Sequence, residues 1–204
     1  MLYTLLADSN KYLGAVIDSD YVESVVGSLR GERRDDRIDL NHQPRSWKDV
    51  FPGPLKITFP LFNAADGQKT IPDIAEFQGR LFLSPKAYII LKPLIEKDGE
   101  FLAGVYQDGE CFIFTPLRIA EDVDGLDLVL SRKNEWGDVD NIAFHEERVK
   151  EWALFRSNYT AYMRLYCQGS LKDAIEAAKL TGLYFTPDLS NIFPEERSSV
   201  TQIN

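Results

Sequence analysis

Apolar and polar positions alternate in short stretches along much of this chain, the period expected where one face of a strand is buried and the other is wet. Two early apolar runs, Leu2 to Ala7 and Tyr12 to Ile17, are split by Asp8-Ser9-Asn10, a turn composition, and predict a strand pair. Leu55-Lys56-Ile57-Thr58-Phe59 alternates as a half-buried strand, and Pro60, which lacks a donor, limits its extension. Phe101 to Tyr106 and Cys111 to Thr115 flank Gln107-Asp108-Gly109-Glu110. Because Asp-Gly tolerates positive φ, this stretch predicts a hairpin. Further strand-like pieces run over Leu126 to Leu130, Val139 to Phe144, Trp152 to Phe155 and Tyr162 to Tyr166. The middle of the chain therefore reads as an antiparallel meander.

Helical spacing shows in two places. Ser84 can cap free backbone N–H groups, Pro85 suits the first helical position, and Ala87, Ile90, Leu91 and Leu94 make one apolar stripe. Pro93 lies inside that stripe and predicts a kink or an end after about two turns. A second helix is predicted from Ser170, with Asp173 where a capping-box acid would sit; Leu171, Ile175 and Ala178 line one side, and Thr181-Gly182 is the stop. Leu183-Tyr184-Phe185 then resumes as a strand. Gly27 to Ser46 mixes charges of both signs with little apolar content and reads as a loop or linker, as does Asn63 to Thr70; Ser198 to Asn204 is an aperiodic polar tail. The fold class expected is α+β, a mostly antiparallel meandering sheet with two or more short amphipathic helices packed on it. Its organisation is residues 1–70, a strand pair plus polar loop that leaves a small subdomain open, then an α+β domain over 71–194 and a polar tail over 195–204.

With 204 residues, 44% of them apolar, the chain can bury a substantial core. No early segment joins a basic stretch to a long apolar run, and runs such as Tyr88 to Leu91 are far too short to span a membrane. Only Cys111 and Cys167 are present, below the density of disulfide-stapled secreted domains, so a reducing compartment, the cytoplasm, is expected. The formal charge of −9 opposes binding to a phosphate backbone and sets nucleic acid aside, while it speeds encounter with a basic partner or simply aids solubility.

Little in the chain points to reaction chemistry. The Cys and His residues at 42, 111, 145 and 167 form no CxxC or HExxH pair, so no metal site is expected. Asp122, Asp124, Gly125 and Asp127 have a calcium-loop flavour, but the glycine is misplaced and no Glu falls where a twelve-residue loop needs one; an acidic turn is the better reading. Neither a Walker pattern nor GxGxxG follows a predicted strand, so no cofactor is expected. Cys111 or Cys167 with His145 would have to meet within hydrogen-bond reach to act as nucleophile and base. The plainer reading makes Cys111 a small buried hydrophobe beside Phe112 and Phe114, and His145-Glu146-Glu147 a solvated turn.

One compositional feature stands above background. Between Asp108 and Glu151 there are twelve Asp or Glu against five Lys or Arg, a local charge of −7. If that span forms loops and edges of the sheet, it presents an acidic face with Trp136 and Trp152 as anchors for a basic protein. The candidate contact residues are Glu121, Asp122, Asp124, Trp136, Asp138 and Asp140. Against this stands a solvated face over two core tryptophans, since Trp is usually mostly buried.

Roughly from Pro72 to Pro194, the order of elements resembles the eleventh family of immunity proteins from bacterial polymorphic toxin systems. The residues that carry the resemblance are Phe82-Leu83-Ser84-Pro85-Lys86-Ala87 at the first helix, Leu126-Asp127, Leu154-Phe155-Arg156, and SLKDAIEAAKLTGLYF from Ser170 to Phe185. The resemblance implies an immunity-like α+β domain over 71–194, with no catalytic residues, that binds and neutralises a cognate toxin domain in the cytoplasm of the producing cell. Two rivals stay open: a small hydrolase or modification-reversing enzyme using Cys111, Cys167 or His145, and an adaptor domain unrelated to toxins.

Overall fold

A computed structural model describes residues 1–27 and 44–191. The fold is α+β, as expected, and its sheets are antiparallel apart from one strand pair. The first sheet places β1 (Leu2–Ala7) between β11 (Leu165–Gln168) and β12 (Leu183–Thr186), with β10 (Leu154–Phe155) outside β11. The second runs in the order β2 (Val16–Ile17), β3 (Leu55–Thr58), β6 (Gly99–Tyr106), β7 (Gly109–Pro116), β5 (Arg80–Leu83), β4 (Ile74–Phe77), and β3 lies parallel to β6. A small third sheet pairs β8 (Arg132–Lys133) with β9 (Val139–Asn141). The helices are α1 (Ser19–Val26), α2 (Pro85–Ile95), α3 (Glu146–Val149) and α4 (Gly169–Ala177).

The predicted hairpin forms: β6 and β7 pair from Gly99 opposite Pro116 to Tyr106 opposite Gly109, and Gly109 takes φ +122° at the turn. The predicted cap on α2 also forms, Ser84 Oγ accepting from the Ala87 N–H at 3.2 Å. Other expectations give way to tertiary contacts. Leu2–Ala7 does not pair with its neighbour in sequence; it sits centrally between two strands from the far end of the chain, and Val16–Ile17 pairs with β3 instead. The helix passes through Pro93 and ends at Ile95. Ser170 lies inside α4, whose N-cap is Gln168 without a side-chain cap bond. Most of the loop predicted over Gly27 to Ser46, and the polar tail, lie outside the described residues.

Alternation along the strands sorts the apolar side chains into separate cores. β5 is buried on both faces: Leu81 and Leu83 join α2, α4 and β1 in one cluster, and Phe82 faces Leu55, Ile57, Ile113 and the fully buried Trp47 in another. A third cluster gathers Phe144, Val149, Phe155 and Tyr166 around Ala120, beneath the acidic span.

Buried carboxylates tie loops to this frame. Glu100 accepts from Ser46 Oγ and the Trp47 N–H, both at 2.6 Å, while the Arg80 guanidinium lies 3.7 Å over the Trp47 ring. Asp98 accepts from the Ala153 and Leu154 N–H groups at 2.8 and 3.2 Å, with Arg118 3.7 Å away; burial pushes its pKa up. Among the described residues no helix is long and apolar enough to cross a membrane.

Candidate functional site

The candidate surface is built by the stretch from Ala120 to Asn141. Its first turn, Ala120–Val123, ends at Asp124 in the left-handed region with φ +52°, a conformation that a short polar side chain tolerates. Gly125 follows where any Cβ would lie 2.7 Å from Val149 and 2.8 Å from the Ala120 carbonyl oxygen, so the loop is pressed onto the core beneath it.

The strand predicted over Leu126 to Leu130 is not formed; only Leu126 makes a bridge, to Phe144. Asp127 is the reason. Its Oδ1 accepts from the N–H groups of Val129 at 2.9 Å and Leu130 at 3.0 Å, a local turn that wins over strand pairing. The Ser131 N–H closes it on the Asp127 carbonyl at 2.9 Å. Leu128, Val129 and Leu130 therefore stand out in solvent at 72, 89 and 56% exposure.

The β8–β9 hairpin follows at once. Its tip is wound around Asn134, whose Oδ1 accepts from the N–H groups of Trp136 at 3.0 Å and Asp138 at 2.8 Å. The Asn134 N–H in turn donates to the Asp138 carbonyl at 2.8 Å, and Gly137 supplies φ +88°. This fixed turn holds Trp136 at 79% exposure. Three aliphatic side chains and a tryptophan, only a few residues apart in the chain, are thus displayed to solvent on hydrogen-bonded turns, where contact needs little further ordering of the backbone.

Leu128 and Val129 also line a cleft of about 800 Å³, together with Asp124, Asp127, His145 and Tyr159. Lys133 reaches in from β8, its ammonium 4.7 Å from the Tyr159 ring centroid. His145 Nδ1 is 3.9 Å from Asp127 Oδ2.

The six predicted contact residues fall into three groups. Glu121 is structural: its carboxylate accepts from Ser157 Oγ at 2.6 Å and from the N–H groups of Asn158 and Tyr159 at 3.1 and 3.2 Å, fixing the turn that carries Tyr159 into the cleft. Asp138 belongs to the hairpin tip, taking a bond from Asn134 Nδ2 at 3.2 Å. Asp122, Asp124 and Asp140 are exposed, and among the described residues their carboxylates make no hydrogen bond or ion pair; with Trp136 they face solvent. Trp152 is instead half-buried, packed on Phe155 beneath Arg118. Sequence reasoning passed over Leu128, Val129, Leu130 and Tyr159. For the aliphatic three, the available signal was Asp127 placed just ahead of the run, a turn-former rather than a strand residue.

The groups with the largest pKa displacements lie elsewhere, in the interior. Burial pushes the thiols of Cys111 and Cys167 up to about 12, so neither supplies a thiolate near neutral pH. Desolvation raises Glu76 to about 7 against the opposing pull of the Gly79 N–H and Arg156, and burial beside Arg80 lowers Arg156 to about 9. The cavity reaching Glu76 holds only about 30 Å³, room for little more than a water. Among the described residues no three His, Cys, Asp or Glu side chains gather as a metal-binding group. Comparison with models of known protein families gives no match, and comparison with curated proteins gives none either.

Proposed function

We propose that this chain is an immunity protein: it binds a cognate bacterial toxin domain, usually encoded beside it, and neutralises it stoichiometrically in the cytoplasm of the cell that makes both. The observation that supports this reading most directly is the exposure of Leu128, Val129, Leu130 and Trp136 on preformed turns, in the same stretch of chain as the exposed carboxylates of Asp122, Asp124 and Asp140, which make no hydrogen bond or ion pair among the described residues. Large apolar side chains left in water at a fixed position are costly for a protein with no partner, and an aromatic anchor ringed by polar groups is the usual centre of a protein interface. The high pKa of both thiols gives the nucleophile alternative no support.

Isothermal titration with the toxin domain encoded by the adjacent gene tests it. The expected result is one-to-one binding at nanomolar affinity or tighter, weakened by Trp136→Ala at least about thirtyfold, the loss typical of a buried anchor. Absence of binding to any neighbouring gene product would overturn the reading.

A further inference from the structure

The chemistry of the cleft defines what the partner must bring to it. Its polar lining is anionic, and the three carboxylates there are not equivalent. Glu121 spends its oxygens on Ser157, Asn158 and Tyr159. Asp127 spends Oδ1 on two backbone N–H groups and keeps Oδ2 toward His145. Asp124 alone lines the cleft with a carboxylate that makes no bond among the described residues. Leu128, Val129 and Tyr159 line the same cleft and give it an aliphatic and an aromatic component.

A cation already uses the aromatic component. The Lys133 ammonium sits 4.7 Å from the Tyr159 centroid, within cation–π range, and among the described residues it makes no ion pair with a carboxylate. Its anchorage is one ring face on a flexible exposed stem, so it is easily displaced. The aliphatic lining matches the methylene stem of a long basic side chain, and the carboxylates and ring match its charged head.

Taking this stretch as the toxin-binding surface proposed above, we infer that it receives an extended partner segment in which an arginine or lysine enters the cleft between Asp124, Asp127 and Tyr159, displacing Lys133, while apolar neighbours of that residue lie on Leu128, Val129 and Trp136. The occupant is a basic, apolar-flanked stretch of protein. The local charge of −7 from Asp108 to Glu151 supplies the complementarity and steers the encounter.

The probe is the synthetic tripeptide acetyl-Leu-Arg-Leu amide, compared with its citrulline counterpart, which keeps the shape of the side chain but replaces the charged guanidinium with a neutral urea. Titrated to tens of millimolar into isotopically labelled protein, the arginine peptide shifts the amide resonances of Asp124, Asp127 to Val129, His145 and Tyr159. The citrulline peptide shifts them several times less. Asp124→Asn, a residue suited to the left-handed backbone at 124, reduces the affinity about threefold to tenfold and leaves the rest of the spectrum in place. Lys133→Ser strengthens binding, because the competing internal cation is gone. Equal shifts by both peptides, shifts elsewhere only, or Asp124→Asn binding as tightly as the parent would each overturn the inference. A full-length toxin that binds through Trp136 while the peptide fails would refute this cleft and leave the proposed function standing; a peptide that binds where no neighbouring toxin does would do the reverse.

Discussion

Glu121 and Asp122 are adjacent acids that composition cannot tell apart, and their environments give them opposite roles. The Glu121 carboxylate satisfies the start of the 158–160 turn through Ser157 Oγ and two N–H groups, whereas the Asp122 carboxylate stands in water. Removing the first leaves donors at the cleft without a partner, a loss of about 1–2 kcal/mol; removing the second lies within about 0.5 kcal/mol of neutral. Urea denaturation of Glu121→Ala and Asp122→Ala, followed by tryptophan fluorescence, should separate them in that order. The same contrast explains what could be read in advance. Charge density over the span was plain in the sequence, but which carboxylate is free depends on Ser157 and Tyr159, more than thirty positions away, and no local pattern records that.

At the level of elements, Asp73 links parts of the chain that no periodicity connects. Its Oδ2 accepts from the Thr181 N–H at 3.0 Å, from Thr181 Oγ1 at 3.1 Å and from Lys86 Nζ at 3.4 Å, so the start of α2 and the turn before β12 share one carboxylate. Burial pushes the Asp73 pKa up, but the Thr181 bonds and the Lys86 charge outweigh it and the pKa ends below the ordinary value. The sign follows: a depressed carboxyl pKa adds stability that is present above the unfolded value near 3.8 and is lost as pH falls through the lower folded value. Asp73→Ala should therefore cost about 1–3 kcal/mol at pH 7, and the gap from the parent should narrow as pH falls below about 4, measured by thermal melts across pH. Thr181-Gly182 was legible as a helix stop. Its second role was not: Gly182 has φ +110°, and any Cβ there would collide with the Ile74 carbonyl oxygen, so the glycine lets the incoming strand press against β4. Elements with strong local signals, the β6–β7 hairpin and the capped α2, were readable. The Leu126–Leu130 stretch was misread because one aspartate side chain outcompeted an apolar run that otherwise favours a strand.

For the molecule as a whole, the decisive pairings are between distant segments. β1 pairs with β11 and β12, β3 pairs with β6, and Trp47 is locked to Glu100 and Arg80. A chain ending at residue 150 keeps the six-stranded sheet's sequence yet leaves both partners of β1 absent, exposing Leu2 and Leu5, which are otherwise buried. Such a fragment should lack the cooperative thermal transition of the full chain, checked by circular dichroism; a cooperative melt in the fragment would show that the first sheet is dispensable.

The place of Leu2–Ala7 also sets a clock. Once made, this strand has no partner within its sheet until Leu165–Gln168 and Leu183–Thr186 emerge, an interval of roughly ten to thirty seconds at ordinary synthesis rates. During that wait its apolar residues are open to chaperones and to the strands of other nascent chains. Every working copy is thus one whose translation has passed Thr186, and products stalled before that point are left visible to quality control.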